Sequence, residues 1–245
     1  MIRRRRIAVL LAVAAILLAA ATVLIYRQLR APEREAALQP AGEEAVLTVM
    51  DFSQAVPLDP LPPGWHHRTF LTRAAGELSY ATVDGVPALR FSTDDSASML
   101  VRFTDIRLDR YPVLEWRWRV EQPIESGIDE TTAAGDDHPA RLFLRFETAA
   151  GERRAMEIVW GNDRLHRGDF KYIDGFPHYV ARGAEAAIGR WYSEALDLRP
   201  LVEKFWPGLS TLRLTEIALF CDSDETDSES VAYFAAVGLR RAELP

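Results

Sequence analysis

The chain has a single cysteine, Cys221, in 245 residues. An internal disulfide framework and a cysteine-built zinc site are both excluded. No excess of positive charge is present: the formal net charge is −7, which argues against a nucleic-acid partner. There is no G-x-S-x-G, P-loop, G-x-G-x-x-G or H-E-x-x-H, so the best-marked esterase, nucleotide and zinc-protease sites are missing. The histidines have no zinc-ligand spacing. Lysine occurs twice, at Lys171 and Lys204, in a chain otherwise rich in arginine and alanine. Disorder is excluded by 48% hydrophobic residues.

What is present begins with an address. Residues 1–6 form a basic tail holding Arg3 to Arg6, and Ile7 to Tyr26 follow without a charge. Twenty residues at about 1.5 Å each match a bilayer's hydrocarbon core. The positive-inside rule keeps the tail in the cytoplasm and exports the rest. Ala19-Ala20-Ala21 fits a signal-peptide cleavage pattern, but Val23, Leu24 and Ile25 continue the apolar run past it. The expectation is an inner-membrane signal anchor with a periplasmic C-terminal domain, or a periplasmic or secreted protein if 7–26 is cleaved. Residues 27–45 read as a polar linker. Residues 31–245 hold 23 bases against 36 acids, a balance of −13.

From Val46 onward the apolar pattern has period two. Strands are expected at 46–51, 77–83, 86–92, 98–104, 113–120, 140–148, 155–161, 211–220 and 231–240. One short helix is expected after Asp197, with Pro200 in its first turn and Pro207-Gly208 ending it. This predicts an all-β fold, a single β-sandwich over 46–245. In Leu114 to Val120, Leu114, Trp116, Trp118 and Val120 share one face, and Glu115, Arg117 and Arg119 the other. The first set is assigned to the core and the second to a wet face.

Several segments, in order, resemble a bacterial family known as domain of unknown function 3047. They are Leu114-Glu-Trp-Arg-Trp-Arg-Val120, Gly135-Asp-Asp-His-Pro-Ala-Arg-Leu142, Val159-Trp-Gly161, Trp191-Tyr-Ser-Glu-Ala-Leu-Asp197 and Ile217-Ala-Leu-Phe-Cys-Asp-Ser-Asp-Glu-Thr226. The resemblance implies an exported, jelly-roll-like domain similar to carbohydrate-binding modules. It implies no catalytic residue.

Three constellations carry possible chemistry. Asp136-Asp137, with Arg141 four residues on, suits an Asx turn with a salt bridge, a hard cation or a substrate hydroxyl. Asp222, Asp224 and Asp227 have spacing that suits a structural turn or weak Ca²⁺ binding. Residues 161–190 read as a long aromatic loop, either a lid or a sugar-stacking wall. If strands 113–120, 140–148 and 155–161 are neighbours, Arg117, Arg119, Arg141 and Arg145 share a field. On that geometry they are an ion-pair ladder or an anion site for an acidic glycan, with Trp160, Tyr172 and Tyr179 as apolar contacts. Three function classes stay open: a module binding a glycan or envelope polymer, a structural or partner-binding subunit of an envelope assembly, and a polysaccharide hydrolase or lyase.

Overall fold

The computed structural model describes residues 36–209 and 211–242. The expected membrane segment, 7–26, lies outside them. Among the described residues no helix is long and apolar enough to cross a membrane.

The chain is an all-β sandwich of two sheets. In order, its strands are β1 (Val46–Asp51), β2 (Trp65–Thr69), β3 (Glu77–Val83), β4 (Val86–Asp94), β5 (Ala97–Arg107), β6 (Val113–Gln122), β7 (Arg141–Thr148) and β8 (Arg153–Trp160). Then come β9 (Phe170–Ile173), β10 (Phe176–Arg182), β11 (Tyr192–Asp197), helix α1 (Leu198–Phe205), β12 (Leu212–Asp222) and β13 (Glu229–Arg240). The six-stranded sheet runs β11-β6-β13-β4-β3, with β1 also paired to β13. The seven-stranded sheet runs β2-β5-β12-β7-β8-β10-β9. Consecutive strands β4 and β5, β6 and β7, and β12 and β13 fall in opposite sheets.

Local chemistry explains the elements. Asp84-Gly85 closes the β3–β4 hairpin with both residues at positive φ (53° and 76°), the geometry of a two-residue type I′ turn. Helix α1 is capped by Asp197, whose side chain accepts from Arg199 N. It buries Leu198, Leu201, Val202 and Phe205 at helical spacing.

The core lies between the sheets. Trp116 and Trp118 are in it, as expected; the Trp118 ring sits 5.4 Å from Trp116 and 5.5 Å from Trp160. Leu142, Leu144 and Phe146 of β7 meet them from the other sheet.

One expectation is corrected. β6 pairs with β11 and β13, whereas β7 and β8 pair in the opposite sheet. Arg117 and Arg119 are therefore not on one surface with Arg141 and Arg145. The outer side of β7 is partly apolar. Met99, Val101, Phe103, Phe143, Ala218 and Phe220 form a second apolar cluster there, packed against Phe70 and Ala37. Part of the expected linker pairs with β5: Leu38 N donates to Phe103 O, Asp105 N donates to Leu38 O, and the Leu38 side chain packs against the main core.

Candidate functional site

The outer face of the seven-stranded sheet carries a row of ionisable side chains, one per strand. β12 supplies Asp222, β7 Arg141, β8 Glu157, β10 His178 and β9 Lys171. The register sets Glu157 beside His178 and His178 beside Lys171. Alternation turns their neighbours Cys221, Leu142, Ile158 and Tyr179 toward the core.

The loop before β7 adds Asp136 and Asp137. Gly135 permits its close approach, since a Cβ there would lie 2.4 Å from Asp129 O. Buried Glu130 anchors the facing loop by accepting the N–H groups of Asn162, Asp163, Arg164 and Leu165 at 2.6–3.1 Å. The adjacent aspartates then diverge. Asp136 Oδ1 meets Lys171 Nζ at 2.6 Å and His178 Nδ1 at 3.1 Å. Asp137 accepts Thr226 N at 2.8 Å and Glu225 N at 3.3 Å, so it pins the β12–β13 turn.

Arg141, 1% exposed, is the hub. It donates to Glu157 at 2.8 Å, Asp222 at 2.5 Å and Asp136 at 3.3 Å. Its Cζ lies 4.7 Å from the Phe220 ring centroid. Above this row opens a pocket of about 320 Å³. Its apolar lining includes Phe70, Met99, Phe143 and Phe220, and its charged lining includes Arg73, Asp174, Asp224 and Glu225. The volume is at the lower end of the range for small-ligand sites, about 300–1,000 Å³.

Burial and charge compete at each group. Burial alone would raise the Asp136 carboxyl, but Arg141, His178 and His138 outweigh it and hold it well below the usual carboxylate range. Burial lowers Lys171, with Asp136 opposing. Burial also lowers His138, whose Nδ1 donates to Trp160 O at 2.9 Å. It raises Asp222 despite Arg141. Burial, Asp137 and Asp224 push the Glu225 carboxyl up to about 8.

The acidic turn differs from its expected form. Asp222 and Asp224 converge, with carboxyl oxygens within 4.8 Å of each other and of Asp137 and Glu225. Asp227 is exposed, at φ 50°, and stands outside this set. Such a set has the oxygen chemistry for a hard cation. Arginines already act as its counter-ions, Arg141 on Asp222 and Arg73 on Asp224 at 2.6 Å.

Of the other expected site residues, Arg145 lies on the same face but bonds Glu216 at 2.9 Å and lines a separate groove. Arg117 stacks on Trp191 across the sandwich, and Arg119 pairs there with Asp84 and Glu121. Trp160 is a core residue, 2% exposed. Tyr179 packs against the core, and Tyr172 lies 5.9 Å from Phe205 of α1. The stacking wall expected from these three faces away from the pocket. Within the segment 161–190, residues 170–182 form the β9–β10 hairpin rather than a loop, and the pocket-lining residues of the segment are Ile173, Asp174 and His178.

No curated protein matches the chain in sequence. Solved structures similar to it include the family 11 carbohydrate-binding module of the cellulosomal cellulase Lic26A-Cel5E of Clostridium thermocellum. That pair shares 9% identity over 83% of this chain and 97% of that one, with a TM-score of 0.43. Endoglucanase cel12A of Rhodothermus marinus is 10% identical over 73% of this chain and 93% of its own, with a TM-score of 0.41. The family model described as "Protein of unknown function (DUF3047)" matches residues 63–238, and the chain belongs to that family.

Proposed function

We propose that the chain is a glycan-binding protein and that the pocket on the outer face of the seven-stranded sheet is its binding site. The observation that carries this is the pocket's composition. Asp136, Arg141, Glu157 and His178 hold one another in fixed positions between the phenyl rings of Phe70, Phe143 and Phe220. Sugars ask for this combination: prepaid acceptors and donors for hydroxyls, and rings for the C–H faces. The domain's place follows as a second part of the proposal: residues 7–26 hold it at the inner membrane with 46–245 in the periplasm, supported by Arg3–Arg6 before an uncharged run.

A glycan array probed with the purified protein, with and without Ca²⁺, tests the binding. His178→Gln and Glu157→Gln should lose the signal while remaining folded. An empty array, or unchanged binding by both variants, rejects the site. Release of reducing ends from a bound glycan would instead assign the pocket to a hydrolase. C-terminal reporter fusions test the topology: activity of a cytoplasm-only reporter rejects export.

A further inference from the structure

The outer face of the six-stranded sheet carries an open cleft of about 420 Å³, with β6 through its middle. Register sets Ser193 of β11 and Ala236 of β13 on either side of Arg117, and Ala195 and Gly238 on either side of Glu115. These four small residues leave both flanks of the two charged side chains open. The two charges differ in their partners. Glu115 is taken by Arg240 Nε at 2.8 Å, and Arg119, two positions along β6, pairs with Asp84 and Glu121. The half-buried Arg117 side chain makes no hydrogen bond or ion pair among the described residues. Its Cζ lies over the Trp191 ring, 5.1 Å from the centroid. Trp191 is fixed in turn, donating Nε1 to Val83 O at 3.2 Å and packing on Tyr233 at 6.5 Å. Stacking occupies the face of a guanidinium and leaves the N–H donors on its edge free. Arg117 is thus a donor fork held in place before any ligand arrives.

We infer that this cleft is a second binding site, on the sheet opposite the pocket, and that it takes a polyuronate with one carboxylate held bidentately by Arg117. That the ligand is a sugar rests on the glycan reading above; that it carries a carboxylate rests on the arginine. A planar carboxylate offers two acceptor oxygens at the spacing of the guanidinium fork. A neutral sugar brings no counter-charge for the cation. Ser193 and Thr48 line the cleft with hydroxyls, and Trp191 with Tyr233 sets aromatic rings beside the arginine. A few placed polar groups next to rings is the mixture that small-ligand sites use.

The test is calorimetry on the full-length protein with a galacturonate tetramer, its methyl-esterified form and a short polyglutamate. The galacturonate should bind about tenfold or more tighter than the ester, which keeps the rings and loses the charges. Its affinity should fall as salt rises. Arg117→Ala should remove the preference at an unchanged melting temperature. Arg117→Lys should keep only part of it, because an ammonium is a point charge without the fork. Ser193→Glu, at an exposed position directly across from Arg117, gives the arginine a partner within the chain and should abolish uronate binding without loss of stability. His178→Gln, on the other sheet, should leave uronate binding as it is. Equal binding of acid and ester overturns the inference, as does an Arg117→Ala variant that binds like the wild type. Uronate binding lost in His178→Gln and kept in Arg117→Ala puts the polymer in the pocket, which overturns the second site and supports the glycan reading. Polyglutamate that binds as tightly as the uronate gives Arg117 to an acidic polypeptide and overturns the inference too. Failure of the uronate with a positive glycan array overturns this site alone, and failure of every sugar overturns both readings.

Discussion

Arg141 and Asp222 form a buried ion pair, 2.5 Å from Nη2 to Oδ2, on paired strands β7 and β12. The same guanidinium serves Glu157 and Asp136, so one cation neutralises three carboxylates in a site nearly closed to water. Removing the cation takes the arginine from Asp222 and Glu157 and leaves Asp136 with Lys171. Arg141→Met should destabilise the protein by about 3–5 kcal/mol, the usual consequence of leaving a buried charge uncompensated. Adding Asp222→Asn to Arg141→Met should recover part of the loss. Urea unfolding of both variants checks this, and strictly additive losses would show that the pair is not coupled.

Stability should fall as the solution becomes alkaline. The folded-state value of about 8 for Glu225 lies above that of an unfolded glutamate, about 4.3–4.5. The stabilisation from its proton is complete below the unfolded value and is lost as pH rises through about 8. The Glu225 side chain is 31% exposed, so the effect is modest and is read as a slope in melting temperature between pH 6 and 9. Glu225→Gln should flatten that slope. An unchanged slope in the variant would place the titration elsewhere.

In acid the sign reverses. Asp136 is held below the usual carboxylate range, so its contribution is complete above that range and fades as pH falls through the folded value. Burial lowers His138, which adds loss in the same direction. Asp136→Asn should give a protein that is weaker at pH 7 and less sensitive to acid below pH 4. A variant with wild-type acid sensitivity would contradict this.

Two side chains on β6 separate core from surface. Trp118, fully buried against Trp116 and Trp160, should cost about 3–5 kcal/mol when replaced by Ala. Arg117 stacks on Trp191 at 5.1 Å on the opposite face. Arg117→Ala should stay within about 1 kcal/mol. Denaturation midpoints that reverse this order would mean the faces have been exchanged.

Glu130 should govern the loop after β8. It accepts four backbone N–H groups, and Glu130→Gln replaces one acceptor oxygen with a donor. The cost should be roughly 1–3 kcal/mol. Hydrogen exchange at residues 162–165 should accelerate more than in the core strands, and exchange that speeds up uniformly would mean the role is global rather than local.

Strands with one apolar and one polar side were legible from period two, which located nine of the thirteen among the described residues and the Trp116–Trp118 face. Of the four missed strands, β2, β9, β10 and β11, the first three fail that pattern for identifiable reasons. β9 and β10 carry Lys171 and His178 on a side that is buried but ionic, so their sequence imitates a solvated loop. The available signal was Asp174-Gly175, the same dipeptide as Asp84-Gly85 and likewise at positive φ, 48° and 88°. β2 holds His66, His67 and Arg68 and is nowhere fully buried. For the site, Asp136, Asp137, Arg141, Asp222 and Asp224 were legible as acidic or basic clusters. Their meeting was not, because it depends on β12 pairing with β7 across some 80 positions of chain. Which arginines share a surface is a question of sheet membership, and local alternation carries no information on that.

Arg241 N donates to Ala45 O at 3.0 Å, and Val46 pairs with Arg240. The first and last strands of the sandwich therefore leave side by side, with β13 holding β1 along its C-terminal half. Topologically the domain is a ring that lacks one covalent joint. A short linker from 241 to 45, with new ends opened at the exposed Asp84-Gly85 hairpin, gives a circularly permuted chain with every strand in its original pairing. Its pocket, built on the other sheet from β7, β8, β10 and β12, lies far in sequence from both the joint and the cut.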